Sequence, residues 1–222
     1  IALDVGLSLI RLTVPFVAVL QLQELVTREF DRRFFLASLT YPRPRHQFLL
    51  GRLFALGGVM ARLVVVLAAA LAVLVAWVVS GYAQAWPVGL GLPYWITVSF
   101  VLLDLFVVIA LGALLAVVAS TPSFVLIGTL GFMLVARSYS TIVALLEREA
   151  WLVSNAETYH GSLGLLAYVL PDLAALDVRM IALYGQMSLM PSQWPWHVGT
   201  ALAYGVGLVA MATWLLARNR FA

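Results

Sequence analysis

Residues 53–80 read LFALGGVMARLVVVLAAALAVLVAWVVS and contain a single charged side chain, Arg62. A bilayer core about 30 Å thick is crossed by roughly 20 apolar residues in a helix, so this run is long enough to span it. Four further apolar runs have similar lengths, at 3–25, 95–119, 122–146 and 197–217. The sequence therefore predicts an all-α, polytopic membrane helix bundle, with five transmembrane helices in one domain over 1–222.

The composition of the chain excludes several classes of protein. Of its 222 residues, 64% are hydrophobic and 10% are charged, whereas a soluble domain carries about 25% charged residues. All thirteen basic residues are Arg, so a P-loop, which needs a Lys, is excluded. Because Cys is absent, disulfides, thiolate metal sites and cysteine nucleophiles are excluded as well. The net charge of +3 is interpreted as a topology signal, with no nucleic-acid partner.

The topology signal lies in residues 24–52, ELVTREFDRRFFLASLTYPRPRHQFLLGR, which hold six of the thirteen arginines. Basic loops favour the cytoplasmic side of a membrane. Alternation then places 81–94 and 147–196 outside, and the 120–123 turn and the C-terminal tail inside. This orientation puts eight arginines inside and two, Arg148 and Arg179, outside.

The same orientation starts the first span outside, yet Ile1 is not an initiator Met and no signal peptide precedes it. We therefore expect a further N-terminal transmembrane helix, the sixth of the bundle, that is missing from this sequence. A processed protein with its N-terminus outside is the alternative.

Residues 26–42 predict a short amphipathic helix at the cytoplasmic face. Leu25, Phe30 and Phe34 fall on one apolar stripe, and Pro42 and Pro44 end the helix. One interpretation is a helix that lies on membrane lipids and is anchored by its arginines. The other is a coupling helix that fits a groove on a soluble partner.

The segment 29–52 resembles the ABC-2 type transporter permeases. The resemblance is carried by its acidic and basic helix, by the turn YPRPR at 41–45, and by FLLGR at 48–52. The opening DVGLSL at 4–9, the late LPDL at 170–173 and the closing ARNRF at 217–221 are also similar to that family.

The resemblance implies a six-helix permease subunit of the bacterial cytoplasmic (inner) membrane. It implies a second permease copy or paralogue as one partner and a separate ATP-binding cassette subunit as another. ATP and Mg would then bind to that subunit, and this chain would have neither a cofactor nor catalytic residues of its own. The residues implied to contact the ATP-binding subunit are Arg28, Glu29, Arg32, Phe35, Tyr41, Pro42 and Arg45.

The predicted spans contain charged residues at Arg11, Arg62, Asp104 and Arg137, and a charge at the centre of a span costs about 2.5–3.5 kcal/mol. Asp104 and Arg137 are equally far from the centre of the 120–123 turn, so they are predicted at similar depth and can pair. Arg11 is expected at a comparable depth. The pair either holds the bundle together or belongs to a polar patch on a substrate path. Arg62 is expected to extend to the interface.

Small residues occur at Gly57-Gly58, Gly128-x-x-Gly131 and Ala203-x-x-x-Gly207, and they permit close contact between helices. These patterns support packing or dimerisation in general and do not indicate which face pairs.

The external segment 147–196 contains several carboxylates and His160, and His197 follows directly after it. Their spacing matches no metal-ligand motif, so no metal is predicted. Residues after 163 are apolar and interrupted by Pro171, which favours an interfacial or re-entrant helix. The segment is interpreted as a cap over the pathway or a docking surface for a periplasmic partner. Two other functions remain open, an intramembrane lipid-modifying enzyme and a membrane scaffold that does not transport.

Overall fold

The computed structural model describes residues 2–24, 45–79, 81, 89–119, 121–148 and 171–218. These residues form helices and no strand. The helices are α1 (Ala2–Leu22), α2 (Arg45–Val79), α3 (Leu92–Val118), α4 (Pro122–Arg148), the short α5 (Arg179–Tyr184), a 3-10 turn at Met187–Leu189, and α6 (Trp194–Arg218).

Four helices are long and apolar enough to cross a membrane, so the chain has the character of a multi-pass membrane protein. Their apolar lengths are 21 residues in α1, 30 in α2 (Leu49–Val78), 27 in α3 and 25 in α6. Helix α4 has 27 residues, but its described apolar part, Pro122–Ser138, is shorter than a span. The all-α fold is therefore confirmed, while the fifth span stays a prediction.

Helix α3 forms the centre of the bundle and packs against α1, α2, α4 and α6. In its most apolar stretch 61% of the residues are buried, against 22–33% in the other three spanning helices. Its sequence is apolar on all sides, as expected of a helix surrounded by others. Asp104, with 1% of its surface exposed, is the charged exception.

Small residues determine how closely α6 approaches α3. A Cβ added at Gly205 would collide with the ring of Phe106, so only glycine allows this contact. Gly57, Gly58 and Gly207 have open space around the same position. Within the described chain, the close contact of α6 with α3 therefore lies at Gly205 and not at Gly207. Packing of Gly57, Gly58 or Gly207 against a second copy stays a prediction.

Residues 171–190, the outer segment, fold back onto the end of the bundle where α1, α3 and α6 begin. We call this end the outer end, after the predicted topology. Residues 171–178 are turns, and Asp172 Oδ1 accepts hydrogen bonds from the amides of Ala174 and Ala175 at 3.0 and 3.2 Å. The described part of the stretch after 163 is thus not helical, because the Asp172 turn replaces it. Residues 149–170 lie outside the described chain.

Apolar side chains anchor the outer segment in the bundle. Leu173 and Ile181 have no exposed surface, and they join Val107 and Val108 of α3 and Ala136 of α4 in one buried cluster. Burial of this kind stabilises by about 25 cal/mol per Å² of apolar surface. The outer segment is therefore part of the membrane domain and not a separate external unit.

Candidate functional site

Asp104 lies near the middle of α3 and contacts two arginines. Its Oδ2 lies 2.5 Å from Arg137 on α4 and 3.6 Å from Nε of Arg11 on α1. The structure thus shows the Asp104–Arg137 pair that the register of the α3–α4 hairpin predicts. Arg137 also donates to the backbone oxygen of Arg11 at 3.0 Å, so three helices meet at one carboxylate.

Arg11 connects this buried carboxylate to the outer segment. Its guanidinium lies 2.5 Å from Asp177 Oδ2 and donates to the backbone oxygen of Leu173 at 2.6 Å. Arg11 is the tenth residue of α1, roughly 15 Å along the helix from its outer end. The turns at 171–178 therefore reach deep into the bundle, where irregular backbone is tolerated only if protein surrounds it.

Arg179 extends the contacts toward the surface. It donates to Asp177 Oδ1 at 2.7 Å and to Asp4 Oδ1 at 3.1 Å, and it also contacts Ser8. Its hydrogen bond to Asp177 raises the pKa of the Arg179 guanidinium above its already high ordinary value. Arg179 therefore stays charged at every accessible pH.

These residues form an alternating series, which we call the charge chain. From the outer end inward it runs Asp4, Arg179, Asp177, Arg11, Asp104 and Arg137. Three negative and three positive groups balance, which offsets the cost of placing charges at membrane depth. The charge chain links α1, α3, α4 and the outer segment.

The deepest end of the charge chain retains hydrogen-bonding capacity. Asp104 Oδ1 and Arg137 Nε are buried, and neither has a hydrogen-bond partner in the described part of the protein. Buried polar atoms normally form hydrogen bonds. Asp104 Oδ1 can therefore accept a hydrogen bond from a water molecule or another small polar group, and Arg137 Nε can donate one to it.

An apolar groove of about 570 Å³ lies between α2, α3 and α6. This volume is within the range of small-molecule pockets. The groove lies in the half of the bundle where α2 begins, and in the same half Leu49, Ala212 and Leu216 form a separate buried cluster. Its walls are apolar apart from Thr213, and Gly57 and Gly58 leave it open on the α2 side.

No family model, no curated protein and no solved structure matches this chain.

The predicted partner-contacting residues fall mostly outside the described chain. Arg28, Glu29, Arg32, Phe35, Tyr41 and Pro42 all lie in the undescribed 25–44 segment. Arg45 is the first residue of α2, so the helix begins there and not near 53. The predicted metal-free character is not tested, although the described residues contain no cluster of three or more metal-ligating side chains.

Sequence reasoning missed Asp4, Asp177 and Arg179 as members of the buried network. A signal was present, because the predicted spans carry two deep arginines, Arg11 and Arg137, but only one deep carboxylate. A second acidic group had to come from elsewhere if the charges were to balance. Asp177 supplies it, from a segment that sequence reasoning assigned to the exterior.

Proposed function

We propose that this chain is the permease subunit of an ABC transporter. In this proposal a separate ATP-binding subunit hydrolyses ATP, and the movement it produces is transmitted through residues 26–42 to the helix bundle. The result is export of a substrate, or mechanical work, across the bacterial cytoplasmic membrane. The sequence resemblance of 29–52 supports the family, and the geometry of α2 supports the coupling.

The course of α2 is the observation that carries the proposal. Its 35 residues make a helix about 52 Å long, whereas a bilayer core is about 30 Å thick. It begins at Arg45, directly after the sequence YPRP at 41–44. It therefore extends from the arginine-rich segment to the opposite end of the bundle. A rigid helix of this length transmits a displacement at its first turn to its far end.

The same helix forms one wall of the apolar groove. Leu50, Phe54 and Gly57, all in its first half, face α3 and α6 across the groove. A tilt of α2 driven from 26–42 would therefore widen or narrow the groove. Its apolar lining suits the apolar part of a substrate.

The proposal is tested by purification of the tagged full-length protein in a mild detergent, followed by mass spectrometry and an ATPase assay. We expect an ATP-binding subunit to copurify and to hydrolyse ATP. Replacing Glu29 and Phe35 together by Ala should release it and leave membrane insertion intact. Phe124→Ala, which removes an exposed ring (56%) at the start of α4, is the matched control and should retain the partner.

Two results would contradict the proposal. One is the absence of any ATPase from preparations in several detergents and in nanodiscs. The other is full substrate-dependent ATP hydrolysis by the doubly substituted protein, which would show that this helix does not couple the two subunits.

A further inference from the structure

The charge chain divides into an accessible part and a buried part. The side chains of Asp4, Arg179 and Asp177 are 48%, 30% and 25% exposed, whereas those of Arg11 and Asp104 are 11% and 1% exposed. Ion pairs between partly exposed groups are weak and are screened by salt, while buried pairs are screened much less. Among the ion pairs of the charge chain, those that hold the outer segment are thus the ones that water reaches.

The outer segment has few other polar connections to the bundle within the described chain. The amide of Gly89 donates to the oxygen of Ala182 at 3.1 Å, and Thr97 Oγ1 donates to the oxygen of Val178 at 3.4 Å. Beyond α5, the chain turns at Gly185 in the left-handed conformation (φ 64°), and residues 185–189 are exposed. Residues 185–189 therefore open at low free-energy cost. The buried side chains of Leu173 and Ile181, in contrast, leave the bundle only when the whole outer segment moves.

The two innermost residues of the charge chain, Asp104 and Arg137, do not depend on the outer segment for their contact. Asp104 and Arg137 lie on α3 and α4, which are consecutive helices: α3 ends at Val118 and α4 begins at Pro122. Movement of the outer segment removes Asp177 and the oxygen of Leu173 from Arg11, but leaves the pair between α3 and α4 in place. Movement of the outer segment away from Arg11 would therefore expose Arg11 and Asp104 to water from the outer end.

We propose that the outer segment is a gate, closed by the Asp4–Arg179 and Arg11–Asp177 pairs, that controls water access to Asp104 from the outer end. The gate opens when these pairs separate, while the Asp104–Arg137 pair persists in both states. This device is built into the chain itself and operates whether or not an ATP-binding subunit is attached.

Single-cysteine labelling tests the gate, because the chain contains no Cys of its own. Ala182→Cys places a reporter at a residue of α5 with no exposed surface, and Ile181→Cys provides a second, equally buried reporter. The labelling rate of the full-length protein with a membrane-impermeant maleimide measures the open fraction. Adding Arg179→Gln or Asp4→Asn should raise this rate about fivefold, as expected for loss of a partly exposed ion pair.

The double variant should label no faster than the faster single variant, because both substitutions break the same pair. Raising the salt to 1 M should accelerate labelling of the Ala182→Cys protein whose charged residues are all native. The same salt should change the labelling rate little once Arg179 is also replaced. This salt measurement needs no charge substitution, so it remains informative if a charge variant fails to fold.

Two controls separate opening of the gate from other changes. Arg62→Gln removes an exposed arginine of α2 outside the charge chain and should leave the labelling rate unchanged. Ala18→Cys, a buried reporter toward the opposite end of α1, should stay protected throughout. Equal acceleration at Ala18 and Ala182 would indicate global unfolding and overturn the gate. Unchanged labelling of both outer reporters in the charge variants and in high salt would overturn it as well.

Discussion

At the scale of single residues, Asp104 has the most demanding environment in the described chain. It is 1% exposed and lies between two guanidinium groups contributed by Arg11 and Arg137. Neither arginine could remain at this depth without a counter-charge, because a buried charge without a partner is costly. The carboxylate therefore joins three helices through electrostatics and not only through packing.

Asp104→Asn should lower the free energy of unfolding by roughly 3–5 kcal/mol, because it leaves the Arg137 guanidinium without its carboxylate partner. Denaturant unfolding in detergent micelles measures the change. Asp4→Asn is the matched control, since the Asp4 side chain is 48% exposed, and it should cost no more than about 1 kcal/mol.

The same pair supports a double-mutant cycle. Once Asp104 has been changed to Asn, Arg137→Gln should cost much less than it does alone, with a coupling free energy of about 0.5–3 kcal/mol. Additive effects of the two substitutions would show that Asp104 and Arg137 do not interact in the folded protein.

At the scale of elements, the contact of α6 with α3 depends on one glycine. Gly205 is buried against the ring of Phe106, whereas Gly207, two residues further along the same helix, has open space at its Cβ position. Both are glycines inside a helix, so they share the same intrinsic helix propensity. Only their surroundings differ.

Gly205→Ala should destabilise the protein by about 1–3 kcal/mol, because the added methyl group forces α6 away from Phe106. Gly207→Ala should be neutral or stabilise by up to about 1 kcal/mol, since alanine is the better helix former. Thermal unfolding of the two variants, compared side by side, measures the difference. Equal effects of the two substitutions would contradict the predicted packing of α6.

At the scale of the whole molecule, the charge chain and the apolar groove lie on different sides of α3. The charge chain connects α3 to α1, α4 and the outer segment, while the groove separates α3 from parts of α2 and α6. Helix α3 is thus held firmly on one side and borders open space on the other. Under the proposed function, α2 is the helix that moves relative to α3, since α6 stays packed against α3 at Gly205.

Filling the groove should block the binding of an apolar chain. Gly57 and Gly58 have open space at their Cβ positions, so Leu side chains at both can enter the groove without a backbone clash. A photoactivatable fatty acid should label groove peptides of the native protein and lose that labelling when both glycines are replaced by Leu.

The matched control is Gly131→Leu, on α4, which also has open space at its Cβ position but lies outside the groove. It should leave labelling of the groove peptides unchanged. Persistent groove labelling in the Gly57→Leu, Gly58→Leu protein, with the fold intact, would show that the groove does not bind the fatty acid.

Local patterns in the sequence were sufficient for several features of the protein. Apolar runs of more than 20 residues predict membrane-spanning helices because helix length and bilayer thickness are both set by simple geometry. The pairing of Asp104 with Arg137 was predictable for a similar reason, since two helices joined by a short turn place equidistant residues at one depth. The place of Gly57 and Gly58 at the groove was not predictable from the sequence, because small residues favour a close contact and an open groove equally well.

The tertiary structure alone decided what the outer segment does. Arg11 and Leu173, which share a hydrogen bond, are 162 positions apart, and no periodicity relates them. Alternation of the predicted spans assigns residues 147–196 to the exterior, yet Asp177 is drawn inward because Arg11 and Arg137 exceed the buried negative charge of Asp104. The sequence by itself determined the spanning helices and the depth of their charges. The folded bundle determined how those charges are balanced and where an apolar space stays open, because both depend on helices and loops that are distant in the chain.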